Sequence, residues 1–110
     1  MNITQLKSKI SYIKVSSTNL YYDGSLGIDE EIMEKATIRP YEQVHVLNVT
    51  NGQRFITYAI KEPRGSNNIA VYGAAAKLCN TDDEIIILTF VSLNPSEESL
   101  EPIVLNFRES

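Results

Sequence analysis

Residues 43–61 carry the strongest local constraint on what this chain can become. Gln43 to Val49 is strand-like, Asn51-Gly52 follows, and Arg54 to Lys61 reads as a return strand. Asparagine followed by glycine between two such runs signals a hairpin with a type I′ turn, since both residues tolerate the positive φ that this turn needs. The remaining chain has the same grain. Strand-like stretches recur at Ile10 to Val15, Asn19 to Asp23, Leu26 to Ile28, Ile69 to Tyr72, Glu84 to Ser92 and Ile103 to Phe107. Within the fifth, Ile85-Ile86-Ile87-Leu88 reads as a strand buried on both faces. Only one segment calls for an α-helix. Asp29 can cap it, Glu30 and Glu31 fall in its first turn, Lys35 in its last, and Ile32, Met33 and Ala36 form its apolar stripe. Thr37 to Pro40, Glu62 to Asn68 and Asn94 to Glu98 are turns or loops. Many short strands with one or two short helices indicate a mainly β, compact barrel.

Composition narrows the function. With 110 residues the chain is one domain, 1–110, large enough to bury a core without disulfide staples. Ten basic residues against 14 acidic give a net charge of -4, and no basic stripe offers itself to nucleic acid. One cysteine, Cys79, and one histidine, His45, exclude a disulfide framework and a cysteine or His-rich metal centre. No apolar run has membrane-spanning length, and the N-terminus lacks an apolar signal core, so the expected compartment is the cytoplasm.

Most conspicuous single residues have an ordinary structural explanation. Cys79 reads as a small buried residue and His45 as a partly exposed strand residue. Asn48-Val49-Thr50 matches a glycosylation sequon by chance. Gly73-Ala74-Ala75-Ala76 is either a helix start or a stretch where a ligand approaches bare backbone. Arg54 and Tyr58 share a strand face about 13 Å apart, at about 3.3 Å per residue. They either border one small-molecule pocket or belong to an ordinary amphipathic strand. Gly24-Ser25 is either turn chemistry or a self-cleaving bond. In the second case the serine hydroxyl attacks the unshielded glycine carbonyl, and elimination and hydrolysis then leave a pyruvoyl group at residue 25.

Three motifs taken together resemble the aspartate 1-decarboxylase family. They are Tyr21-Tyr22-Asp23-Gly24-Ser25, Asn48-Val49-Thr50-Asn51-Gly52-Gln53-Arg54-Phe55-Ile56-Thr57-Tyr58, and Gly73-Ala74-Ala75-Ala76. The resemblance runs over nearly the whole chain. It implies a double-psi β-barrel, assembled as a homotetramer with active sites between subunits. It implies a proenzyme cleaved between Gly24 and Ser25 into a small chain, 1–24, and a large chain, 25–110. The cofactor would be a covalent pyruvoyl group made from Ser25, with no metal. The reaction would be decarboxylation of L-aspartate to β-alanine for pantothenate and coenzyme A synthesis. The substrate amine would form a Schiff base with the pyruvoyl ketone, which then acts as the electron sink.

The same resemblance assigns roles. Arg54 binds the substrate's side-chain carboxylate, Tyr58 donates the proton, and Thr57 hydrogen-bonds the Gly24 carbonyl during cleavage. Lys9 and the Gly73, Ala74 and Ala75 backbone line the site. A regular strand points Thr57 and Tyr58 to opposite faces. Both can line one site only if the strand twists or bulges, or if they serve different subunits. Tyr72 stands where the family usually has asparagine, and Ser11 where many members have histidine. A maturation factor is a possible further partner. The alternative to the enzyme is an unprocessed, non-catalytic barrel of the same fold that binds a small molecule. An oligonucleotide-binding barrel is disfavoured by the charge and by the lack of interleaved basic and aromatic strand residues.

Overall fold

The computed structural model describes residues 1–108, and among these eight strands join in one hydrogen-bonded sheet. They are β1 (Ile3–Lys14), β2 (Ser17–Asn19), β3 (Ser25–Asp29), β4 (Gln43–Asn48), β5 (Arg54–Glu62), β6 (Ile69–Tyr72), β7 (Glu84–Leu93) and β8 (Ile103–Asn106). Their spatial order is β2-β6-β3-β5-β4-β7-β1-β8. The strand β5 joins the two halves. Its residues Arg54 to Tyr58 pair antiparallel with β4, and Ala59 to Glu62 pair parallel with β3. Strand twist accumulates across these pairings and wraps the sheet around its own apolar face. Ile10, Leu26, Ile28, Val44, Val46 and Ile87 come from four strands and are fully buried there. Each such side chain contributes about 1.5–3 kcal/mol of burial.

The helix α1 (Glu30–Lys35) forms where its caps place it. Asp29 is the N-cap, Ala36 the C-cap, and Ile32, Met33 and Ala36 are buried. The Asp29 carboxylate is 1% exposed and accepts from the backbone N–H of Glu31, Gly65 and Asn67 at 2.8, 3.0 and 2.8 Å. It ties the helix start to the loop after β5. A second short helix, of 3₁₀ type, spans Gly73–Leu78.

Four local expectations are corrected. The first strand begins at Ile3, seven residues earlier than its apolar signal, because antiparallel pairing with β7 carries it that far. Near its end Tyr12 takes φ 61° at a register shift, so the consecutive residues Ile10 and Ser11 are both buried. The extended stretch at Asn19 to Asp23 is largely a turn. Only Ser17–Asn19 is strand, and the Asn19 side chain accepts from the Tyr21 N–H at 3.1 Å to reverse the chain. The Asn51-Gly52 connection is not a two-residue type I′ turn. Gly52 alone has positive φ, and Val49–Gly52 is a four-residue loop in which the Asn48 N–H donates to Gln53 and the Gly52 N–H to Asn48. Finally, β7 alternates: Ile85 and Ile87 are buried, while Ile86 and Leu88 remain partly exposed. Its outer face stays partly open to solvent, with Phe90 and Ser92 exposed.

Candidate active site

Register brings Ser25 beside two tyrosines. Ser25 opens β3 and pairs directly with Tyr72 of β6. On its other side Leu26 pairs with Ala59, so Ser25 lies alongside Tyr58 of β5. Paired residues on neighbouring strands point to the same face, with strands about 4.8 Å apart. Ser25, Tyr58 and Tyr72 thus stand in a row on the outer face of the barrel. They line an open pocket of about 670 Å³. Ser17, Thr18 and Asn19 of β2 form one side of it, and Tyr22 and Asp23 come from the turn before Ser25. Tyr41 also borders it, with its ring 6.3 Å from that of Tyr58.

The Gly24–Ser25 bond lies at the edge of this pocket. Ser25 is 4% exposed, whereas Gly24 is exposed. The Ser25 hydroxyl is 3.5 Å from the Asp23 carbonyl, a distance at the weak limit of hydrogen bonding. Gly73 presses on Gly24 from behind. It adopts φ +79°, and a β-carbon there would come within 2.6 Å of the Gly24 α-carbon and 2.8 Å of its nitrogen. The exposed turn is therefore held by a backbone-to-backbone contact that only glycine allows.

A family model described as aspartate decarboxylase matches residues 1–110. The chain belongs to the aspartate decarboxylase family. It is similar to the aspartate 1-decarboxylase of Thermosipho melanesiensis, at 48% identity over 94% of this chain and 87% of that one. The aspartate 1-decarboxylases of Coxiella burnetii (98% of this chain, 97% of that one) and Maricaulis maris (96% and 88%) are each 42% identical to it. Among solved structures it resembles the rationally designed mkDPBB_sym_86 protein. The TM-score is 0.52 at 12% identity, covering 74% of this chain and 94% of that one. That likeness shows the fold, a double-psi β-barrel.

The family's expected site residues fall in three places. Gly24, Ser25 and Tyr58 are at the pocket, with Gly73 behind it. Ala74 is exposed and Ala75 packs against the core, one and two residues further into the 3₁₀ helix. Arg54 shares its exposed face with Ile56 and Tyr58, yet it borders a separate hollow of about 200 Å³ beside His45. Lys9 is farther still. Lys9 pairs with Leu88, Leu88 with His45, and His45 with Ile56, a row across four strands. That row spans about 14 Å at 4.8 Å per strand. None of the residues lining the main pocket is lysine or arginine. Thr57 points away from Tyr58, because the β4–β5 register runs unbroken from Gln43–Tyr58 to Leu47–Arg54. No hydrogen bond joins Thr57 to Gly24 among the described residues.

Several features had no role assigned in the sequence. Tyr41 and Glu62 gave no local signal, since they meet the site through the fold, and Tyr22 stood in the motif before Gly24 with no role of its own. Burial, with the Glu62 carboxylate beside it, pushes the Tyr72 phenol upward. Cys79 is buried, and that burial raises its thiol pKa. Asn48 is 2% exposed and donates to Leu78 and Asp83, so its sequon is structural. Among the described residues no His/Cys/Asp/Glu group is arranged to hold a metal ion, and no helix is long and apolar enough to cross a membrane.

Proposed function

We propose that this chain is a self-processing, pyruvoyl-dependent decarboxylase that converts L-aspartate to β-alanine and CO2 for pantothenate synthesis in the cytoplasm. The observation that carries this reading is the row Ser25–Tyr58–Tyr72 at the pocket, beside an exposed Gly24. In maturation the Ser25 Oγ attacks the Gly24 carbonyl carbon. The Oγ–C bond forms, the C–N bond breaks, and the freed Ser25 amine takes the proton. Elimination then removes the Ser25 α-proton and expels the Gly24 carboxylate, leaving dehydroalanine at residue 25. Water converts that to the pyruvoyl group and releases ammonia. The products are chains 1–24 and 25–110. Thr57, two residues before Ala59 on the strand beside β3, is the residue we assign to the Gly24 carbonyl.

The residues present fit such a group. Position 25 is sheltered, faces a pocket large enough for a four-carbon amino acid, and has a phenol next to it. When formed, the pyruvoyl group supplies an electron sink for the charge left by the departing carboxylate. Tyr58 then supplies the proton to the substrate α-carbon. Arg54 holds the side-chain carboxylate by a paired, charge-assisted contact, and that grip orients the α-carboxylate for loss. Lys9 adds positive charge, and the Gly73, Ala74 and Ala75 backbone flanks the site.

Within one chain Arg54 and Lys9 are too far from Ser25 to grip one aspartate. We therefore assign the site to the junction of subunits in a homotetramer, where one subunit's Ser25 and Tyr58 face its neighbour's Arg54 and Lys9. The outer sheet face supports this. Ile56 and Phe90 are 57% and 39% exposed there, next to partly exposed Ile86 and Leu88. An apolar face of that kind on a small domain marks a contact surface.

Intact-mass measurement on freshly made protein tests the reading. Fragments 1–24 and 25–110 are expected, the larger bearing a pyruvoyl terminus, with β-alanine formed from aspartate. Ser25→Ala abolishes both. A full-length chain that persists on long incubation and makes no β-alanine overturns the enzyme reading. It would then favour an unprocessed, ligand-binding barrel.

A further inference from the structure

Behind the pocket, Glu62 anchors one wall of it through a gap at Gly27. Ser25 and Gly27 are two residues apart on β3 and so face the same way. Gly27 has no side chain, and Glu62 fills the space. A β-carbon on Gly27 would lie 2.7 Å from Glu62 Oε2 and 2.8 Å from its Cδ. From that position the carboxylate accepts from the Tyr72 hydroxyl, at 3.2 Å to Oε1 and 3.3 Å to Oε2. The Tyr72 phenol therefore reaches across β3, from its partner Ser25 toward Glu62 on the far strand. A tyrosine phenol is protonated, and hence a donor, at neutral pH, and burial beside Glu62 pushes its pKa further up.

Tyr72 in turn supports the turn that carries the cleavage bond. The Tyr22 ring meets the Tyr72 ring edge-on, with centroids 5.6 Å apart and planes at 70°. Edge-to-face aromatic pairs at this spacing are attractive. Tyr22 lies two residues before Gly24 and is 64% exposed, so it has little other packing. We propose that Glu62 is a positioning residue for self-cleavage: it fixes the Tyr72 phenol, which supports Tyr22 and so holds the Gly24 carbonyl over the Ser25 hydroxyl. This rests on the reading that the Gly24–Ser25 bond is cleaved.

The test follows conversion of freshly purified full-length chain to fragments 1–24 and 25–110 by intact mass over time. Glu62→Ala and Tyr72→Phe are each expected to slow cleavage roughly tenfold, the factor carried by one charge-assisted hydrogen bond. The double variant should be no slower than either single one, because both break the same link. Glu62→Gln retains an acceptor oxygen and should cleave within about threefold of wild type. That rescue separates positioning from a general loss of structure. Gly27→Ala expels Glu62 and should slow cleavage likewise, but add nothing in the Glu62→Ala background. Wild-type cleavage rates in Glu62→Ala and Tyr72→Phe overturn the inference and leave the decarboxylase reading intact, and so do additive effects in the double variant. A wild-type chain that never cleaves overturns both.

Discussion

Gly73→Ala separates two costs that usually occur together. Gly73, Gly52 and Gly65 all adopt φ +79°. An alanine in this left-handed region costs about 1–2 kcal/mol relative to glycine. At Gly52 a β-carbon meets nothing within 4 Å, and at Gly65 only the flexible Glu31 carboxylate at 4.0 Å. Those two substitutions report the backbone cost alone. At Gly73 the β-carbon meets the Gly24 α-carbon at 2.6 Å, the Gly24 nitrogen at 2.8 Å and the Tyr22 carbonyl oxygen at 3.0 Å. Carbon atoms prefer about 3.5–4.0 Å, so the shortfall is roughly 1 Å. Backbone atoms cannot swing aside as a side chain can. Overpacking of this size adds about 1–3 kcal/mol, so Gly73→Ala is expected to cost about 2–5 kcal/mol against about 1–2 for Gly52→Ala. Urea unfolding in the uncleavable Ser25→Ala background, at one protein concentration, measures the difference. In the cleavable chain the same displacement moves the Gly24 peptide by about 1 Å, a misplacement that can slow a reaction about a hundredfold. Gly52→Ala should cleave normally. Equal destabilisation by the two variants, or wild-type cleavage in Gly73→Ala, refutes the reasoning.

Two further outcomes follow from the site and the fold. Arg54→Ala should still cleave, since Arg54 lies outside the Ser25 pocket, but should lose aspartate turnover; failure to cleave would move Arg54 into processing. Burial alone would raise the Asp29 pKa, but the N–H groups of Asn67, Gly65 and Glu31 outweigh it, and the folded-state value is lowered. A lowered carboxyl contributes stability that is fully present above its unfolded pKa of about 4 and is lost as pH falls through the folded value. Asp29→Asn is expected to cost about 1–3 kcal/mol at neutral pH and to flatten that acid limb in urea melts. An unchanged acid limb would show that Asp29 does not cause it.

Local chemistry made much of the fold legible. Asp29 with Glu30, Glu31 and Lys35 defined α1, because a cap and a dipole act within one turn. The strand Ile69–Tyr72 appears at its expected bounds, since a polar loop precedes its apolar residues and Gly73, at positive φ, ends the extended run. The boundaries that failed depended on distant partners. The start of β1 is set by β7, 90 positions along the chain in its first pair, Ile3 with Leu93. The alternating exposure of Ile86 and Leu88 depends on whether anything covers the outer face.

The site divides in the same way. Residue types at Gly24, Ser25, Arg54 and Tyr58, with the motifs around them, were enough to place the chain in its family. Their arrangement was not legible, because it depends on strand register. That Ser25 stands between Tyr58 and Tyr72 follows from β3 pairing parallel on one side and antiparallel on the other. That Arg54 and Lys9 lie away from the pocket follows from their rows on the curved sheet. The Glu62–Tyr72–Tyr22 link joins residues 40 positions apart across three strands, through the space one missing side chain leaves at Gly27. Short-range spacing determines turns, caps and chemical types, whereas contacts among side chains far apart in sequence exist only once the barrel closes.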